Sequence, residues 1–294
     1  MSTQTVLFDN PGPRAKLLYR VVGVVGVIIL LGIAAVIVVA LGNPDNNQWA
    51  PQKWLPLLEP VTWTAYLLPG LWSTLSAAVC AIVLAAVLGL LLGMGRLSSV
   101  TVVRGVCGVL VEFLRAVPVL VMMLFAYYFA IFGLHIFGRP ATFFGVVAGL
   151  TLYNGAVIAE LIRSGVHSLP KGQREAALAV GMTHTQTLVT VLLPQAVTAM
   201  LPSLISQLVV VLKDTALGYM ISYSELLRAA QTFATPNANL IPTLMVTAVM
   251  FIIINFSLSM VANKLEARLR RSRRGPRVVV TADVIDDPAE APTK

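Results

Sequence analysis

The sequence predicts an all-α integral membrane protein with six transmembrane helices, and three observations carry that prediction. Of 294 residues, 57% are hydrophobic and 12% charged, and the mean hydropathy of +0.83 lies far from the average of a soluble domain. Six apolar runs reach the ~20 residues that a helix needs to cross ~30 Å of hydrocarbon. Lys and Arg are shared unequally between alternate loops, the asymmetry that orients membrane proteins.

The elements follow in order. Residues 1–20 read as a polar cytoplasmic tail containing PGPR. The first span, Val21 to Gly42, is aliphatic or small throughout. It is long for the apolar core of a signal peptide, and no A-x-A-like cleavage site follows in LGNPDNNQWA. The loop to residue 66 is Pro- and Trp-rich, and Trp49, Trp54 and Trp63 favour the headgroup level of the outer surface. Five further spans run from Leu67 to Gly95, Gly105 to Leu134, about Ala141 to Ile162, Thr187 to Leu212 and Leu240 to Ala262. All must be helical, because a helix satisfies its own backbone N–H and C=O groups where no water can. Residues 67–274 read as one domain, and residues 275–294, acidic and Pro-containing, as a disordered cytoplasmic tail.

Inside the spans, Gly89 with Gly93 and Gly145 with Gly149 form G-x-x-x-G pairs that let helix backbones approach. Pro118, Pro194, Pro202 and Pro242 each remove a helix hydrogen bond and mark kinks or breaks. Cys80 and Cys107 read as small buried hydrophobes. With both termini cytoplasmic, the inner segments hold sixteen of the 21 Lys and Arg residues and the outer loops only Lys53, Arg139 and Arg228. The net charge of +8 is explained by anchoring to the bilayer, including the LEARLRRSRRGPR run after the last span, and calls for no nucleic acid.

The most informative stretch is residues 168–194, SLPKGQREAALAVGMTHTQTLVTVLLP, whose first half falls in the cytoplasm. Strong helix formers follow Pro170, and Gly181 supplies a C-terminal cap, so a short cytoplasmic helix presents a small knob to a soluble partner. At these residues the chain resembles the inner-membrane permeases of ABC importers, whose cytoplasmic signature is E-A-A, three residues, G, nine residues, I, one residue, L-P. Glu175, Ala176, Ala177, Gly181, Val191, Leu193 and Pro194 fall at those spacings, with Val in place of Ile. Further motifs resemble the polar amino acid branch: Gly70-Leu71-Trp72-Ser73-Thr74-Leu75; Glu112, Arg115 and Pro118; Ala156, Glu160, Arg163 and then Pro170-Lys171-Gly172-Gln173; and Leu212-Lys213-Asp214-Thr215-Ala216-Leu217. The accessory first span, long outer loop and acidic tail resemble actinobacterial glutamate permeases.

The resemblance implies a type I importer permease core with one extra N-terminal helix. It implies that Glu175, Ala176, Ala177, Gly181, Leu193 and Pro194 belong to a coupling loop docked on an ABC ATPase dimer. It also implies a second, homologous permease subunit in a heterodimer and an extracytoplasmic substrate-binding protein. The chain itself is expected to bind no cofactor, with ATP and Mg²⁺ on the ATPase partner.

Ionisable groups within spans cost ~2.5 to 3.5 kcal/mol on insertion scales and normally face a cavity or a partner. Glu112 with Arg115 and Glu160 with Arg163 are each one helical turn apart and can pair. Lys213, Asp214 and Thr215 end a long apolar stretch, where an interrupted helix exposes charge to a water-filled route. For an amino acid cargo, Lys213 or Arg115 is the candidate for carboxylates, Asp214 or Glu160 for the ammonium, and Asn154 for a neutral contact.

No G-x-x-x-x-G-K-[ST], nucleophile elbow or H-E-x-x-H occurs, so neither a P-loop nor hydrolytic chemistry of its own is expected. Two rivals are an ion-coupled secondary amino acid transporter, which would commonly show paired repeats absent here, and a non-transporting scaffold, in which polar groups within spans are unexpected.

Overall fold

The computed structural model describes residues 12–44 and 47–272, with the side chains of the last helix as far as Lys264. The described residues are helical and contain no strand. In chain order the helices are α1 (Pro13–Leu41), α2 (Pro51–Leu58), α3 (Leu68–Arg96), α4 (Thr101–Ala116), α5 (Val119–Phe132), α6 (Arg139–His167), α7 (Lys171–Ala179), α8 (His184–Gln186), α9 (Leu193–Asp214), α10 (Leu226–Asn237) and α11 (Leu240–Ser272). π-helical turns lead into α3 (Thr62–Leu67) and α9 (Thr187–Leu192), and a 3₁₀ segment (Thr215–Ile221) leaves α9. Five helical stretches are long and apolar enough to cross a membrane, and six if α4 and α5 count as one broken span.

That broken span corrects the sequence reading of Gly105 to Leu134 as continuous. α4 and α5 meet at 101°, because Pro118 has no N–H to continue the ladder and forces Val117 out of the α region. Both residues are extended, at ψ 130° and 135°. A second correction concerns the N-terminus. α1 begins at Pro13, inside the expected polar tail, and Pro at the first helical position is pre-set for that start. Cys80 is a third: it is exposed on the bundle surface, while Cys107 is half-buried. The acidic tail and the arginines beyond Ser272 lie outside the described residues.

Small residues position the core. α3 lies along α6 so closely that a Cβ on Gly89 would sit 2.6 Å from Ile158 Cβ and 2.9 Å from the Gly155 carbonyl. A Cβ on Gly149 would meet Met123 N of α5 at 2.7 Å. Both G-x-x-x-G pairs are therefore sites of backbone approach, in the manner of membrane bundles generally. α1 buries none of its residues and stands outside this packing; Trp49 Nε1 donates to Val38 O at its end.

Two ends of the bundle can be distinguished. One, the basic end, gathers the C-termini of α3 and α6 with α7. The opposite end gathers α2, the N-terminus of α3, α10 and the start of α11. There Lys53 Nζ donates to Ala238 O and Asn239 Nδ2 donates to Lys53 O, so the loop after α1 is tied down on the core.

Candidate functional site: a basic-end knob, an ion cluster and a polar cleft

α7 carries the E-A-A residues. Pro170 precedes its first turn, and Gly181 takes φ +86°, the left-handed region where a side chain is strained. The Gly181 N–H donates to Leu178 O and the Met182 N–H to Ala177 O, closing the helix C-terminus. Thr183 and Gln186 then form a reciprocal capping box. Gln195 Nε2 donates to Gln173 Oε1 and to Val191 O, which pins α7 against the start of α9 next to Leu193 and Pro194. Ala177 faces this support and is buried, whereas Glu175 and Ala176 are exposed. The knob has a narrow outer face and a fixed base.

Beneath α7, the two carboxylate–arginine pairs merge into one cluster. Glu160 Oε2 lies 2.6 Å from Arg96 NH1, and Glu160 Oε1 2.6 Å from Arg163 NH2. Arg96 NH2 lies 3.1 Å from Glu112 Oε1, and Arg115 NH1 lies 3.7 Å from Glu112 and 3.8 Å from Glu160. Arg96 is the residue that sequence reasoning missed; it reads as an ordinary loop cation until α3 is laid beside α6. Three arginines thus surround Glu160, and both of its carboxylate oxygens already accept from a guanidinium.

The substrate candidates separate. Arg115 and Asp214 line one cleft of about 460 Å³ together with Tyr153, Gln207 and the α4–α5 break at Val117 and Pro118. Gln207 Nε2 donates to Oδ1 of the buried Asn154 at 2.6 Å, and Asn154 Nδ2 donates to Leu150 O. Asn154 thus stands behind Gln207. Lys213 is exposed and does not line the cleft, and Thr215 is buried, its hydroxyl donating to Leu212 O. Gln207 was legible in principle, as a lone amide in the apolar LISQLVVVL run.

At the opposite end the GLWSTL motif docks α10. A Cβ on Gly70 would lie 2.6 Å from Ala229 Cβ. The Leu226 N–H donates to Thr74 Oγ1, and the Tyr223 hydroxyl donates to Ser73 O. Glu225 is fully buried and caps α10 by accepting from the Leu227 and Arg228 N–H groups. Burial pushes its carboxyl up from 4.5 to about 7, against those two N–H bonds and the Arg228 charge. An acid whose folded pKa is raised favours the fold when protonated. This contribution is full below pH 4.5 and is lost as pH rises to about 7, about 3 kcal/mol in all. Melting of the purified protein at pH 5 and pH 8 should therefore show a drop that Glu225→Gln largely removes.

The spans, the exposed α7 and the cleft that holds Arg115, Gln207 and Asp214 are the features to set beside known membrane proteins. Residues 85–271 match the family of binding-protein-dependent transport system inner membrane components, and the chain belongs to that family, the permease subunits of ABC transport systems. It is 49% identical over 235 residues, 80% of this chain and 86% of the relative, to the glutamate transport system permease protein GluD of Corynebacterium glutamicum. It is 36% identical to the probable glutamine ABC transporter permease protein GlnP of Bacillus subtilis, covering 69% of this chain and 94% of that one. The fold matches an amino acid ABC transporter crystallised with histidines at TM-score 0.64 and 27% identity, over 71% of this chain and 96% of that one. This is the type I importer permease fold with an added N-terminal helix.

Proposed function

We propose that this chain is a permease subunit importing glutamate across the cytoplasmic membrane, driven by a separate ABC ATPase. The observation that carries the cargo is the 49% identity to a glutamate permease over most of both chains. The cleft supports it physically, with Arg115 placed to meet a carboxylate, Asp214 an ammonium, and Gln207 a further polar group. In this reading the basic end is cytoplasmic, and the Lys and Arg asymmetry supports that orientation. α7 seats on the ATPase dimer, which holds ATP and Mg²⁺. A second, homologous permease completes the pathway, and an external binding protein delivers cargo.

The mechanism is alternating access. Nucleotide-driven closure of the ATPases pushes α7. Because α7 is pinned to α9 through Gln173 and Gln195, and α9 carries Gln207 and Asp214, displacement of the knob moves one wall of the cleft. The α4–α5 break, with Arg115 beside it, forms the other wall.

Proteoliposomes containing the whole complex and the binding protein should take up labelled glutamate only with ATP available to the ATPase. Uptake on an ion gradient alone would establish the secondary-transporter alternative instead. In the same assay, Arg115→Ala and Asp214→Asn should each raise KM about tenfold, the loss of one charge-assisted contact. Unchanged KM and Vmax in both would remove the cleft from the pathway.

A further inference from the structure

The basic end holds a second polar cleft, of about 770 Å³, between the α3–α4 connection, the end of α6, and α7. Arg104, Lys171, Arg174 and His184 line it, with Glu175 as its one exposed acid. Arg174 lies 3.5 Å from His184 Nδ1, and Arg104 donates only to Ser98 O and the Thr101 hydroxyl. Among the described residues, none of Arg104, Lys171 and Arg174 is in an ion pair, in contrast to Arg96 at the cleft wall. The cleft also contains Thr187, 1% exposed, whose hydroxyl has no hydrogen-bond partner, a donor left over for an oxygen.

The sequence holds a matching anion. Acidic residues are scarce, thirteen in 294, yet Asp283, Asp286, Asp287 and Glu290 fall within eight residues near the C-terminus. The alternation of α6, α9 and α11 brings Ser272, the last described residue, to the same end of the bundle as α7. From there to Asp283 the extended chain reaches ~36 Å, enough to cross the end of a helix bundle.

We propose that the acidic segment 283–290 docks in the cleft formed by Arg104, Lys171, Arg174 and His184. The segment binds as an extended acidic peptide, its carboxylates meeting the unpaired cations at the base of the knob. The docking itself does not depend on the transport reading. Its consequence does: bound there, the segment lies against Arg174 and Glu175 and competes with the ATPase for the exposed face of α7.

The test is zero-length carbodiimide coupling in the purified full-length chain, in detergent free of anionic lipid, read by mass spectrometry. Lys171 should couple to Asp283, Asp286, Asp287 or Glu290 within one chain, as shown by mixing isotopically light and heavy copies. The yield should fall in about 1 M NaCl, where the screening length shrinks to ~3 Å. It should also fall about tenfold in the double variant Arg104→Glu, Arg174→Glu, where two exposed attractions become repulsions, and recover when Asp286 and Asp287 are changed to Lys while Asp283 and Glu290 remain to couple. Coupling of these carboxylates only to Lys264 or Lys16, only between copies, or with no response to charge reversal would overturn the proposal. Because no nucleotide or partner is present, failure of the transport reading leaves this result unchanged.

Discussion

Glu160→Ala is expected to lower the stability of the purified permease by about 2 kcal/mol, between the effect of removing one partner of an exposed pair and that of a fully buried one, because Arg163 and Arg115 are 36% and 38% exposed. Arg96 is only 12% exposed and Glu160 20%, so water compensates little at Arg96 and more at the other two arginines. The variant leaves Arg163 without a carboxylate and Arg96 with Glu112 alone. Glu160 joins α3, α4 and α6 at one point, and the loss should appear as a lower melting temperature in detergent. Glu160→Gln keeps the shape and one acceptor and should fall between. The double variant Glu160→Ala, Arg163→Ala should be less unstable than the sum of its parts, since the second change removes a charge that the first stranded. Additive effects would mean that the pair is not coupled.

Ala176→Trp is expected to reduce ATP-driven uptake by tenfold or more while leaving the melting temperature of the isolated permease unchanged. The separation follows from geometry. Ala176 is exposed on α7, where a substitution alters stability by about 0.5 kcal/mol or less, yet it faces the groove in which the proposed ATPase partner seats the knob. Indole bulk on that narrow face blocks docking. Ala177→Trp would instead disturb both properties, because Ala177 is buried against its support. The measurements are glutamate uptake, ATP hydrolysis by the complex, and melting of the permease alone. Normal uptake in Ala176→Trp would mean that the knob transmits nothing.

Much of this architecture is legible in the chain because the bilayer imposes strong rules. Spans need length and apolarity, and the E-A-A spacing names the family before any coordinate. The glycine pairs announce where backbones meet, although not which partner each would meet. What stays hidden depends on contacts between distant residues. The Val117–Pro118 break lies in an apolar run that satisfies the length rule, so only the missing N–H of Pro118 warns of it. Arg96 meets Glu160 across 64 residues, and no local pattern distinguishes it from Arg104 nearby, which stays unpaired. Glu225 looks like a solvated charge in SYSELL, since its burial is created by Gly70 and Thr74 on α3. Lys213 and Asp214 are neighbours in sequence, yet a helix turns adjacent residues to different faces, and only Asp214 reaches the cleft.

The central claim is that α7 passes nucleotide-driven force into the cleft, and the most direct measurement is site-specific crosslinking from position 175 in the assembled transporter. With Glu175→Cys in a chain whose Cys80 and Cys107 are changed to Ser, a short bifunctional reagent should link α7 to the ATPase, with a yield that changes between nucleotide-free and ATP-bound states. A membrane-impermeant thiol reagent applied to intact cells should fail to label that cysteine. Labelling from outside, or no crosslink to the ATPase in any nucleotide state, would contradict the account.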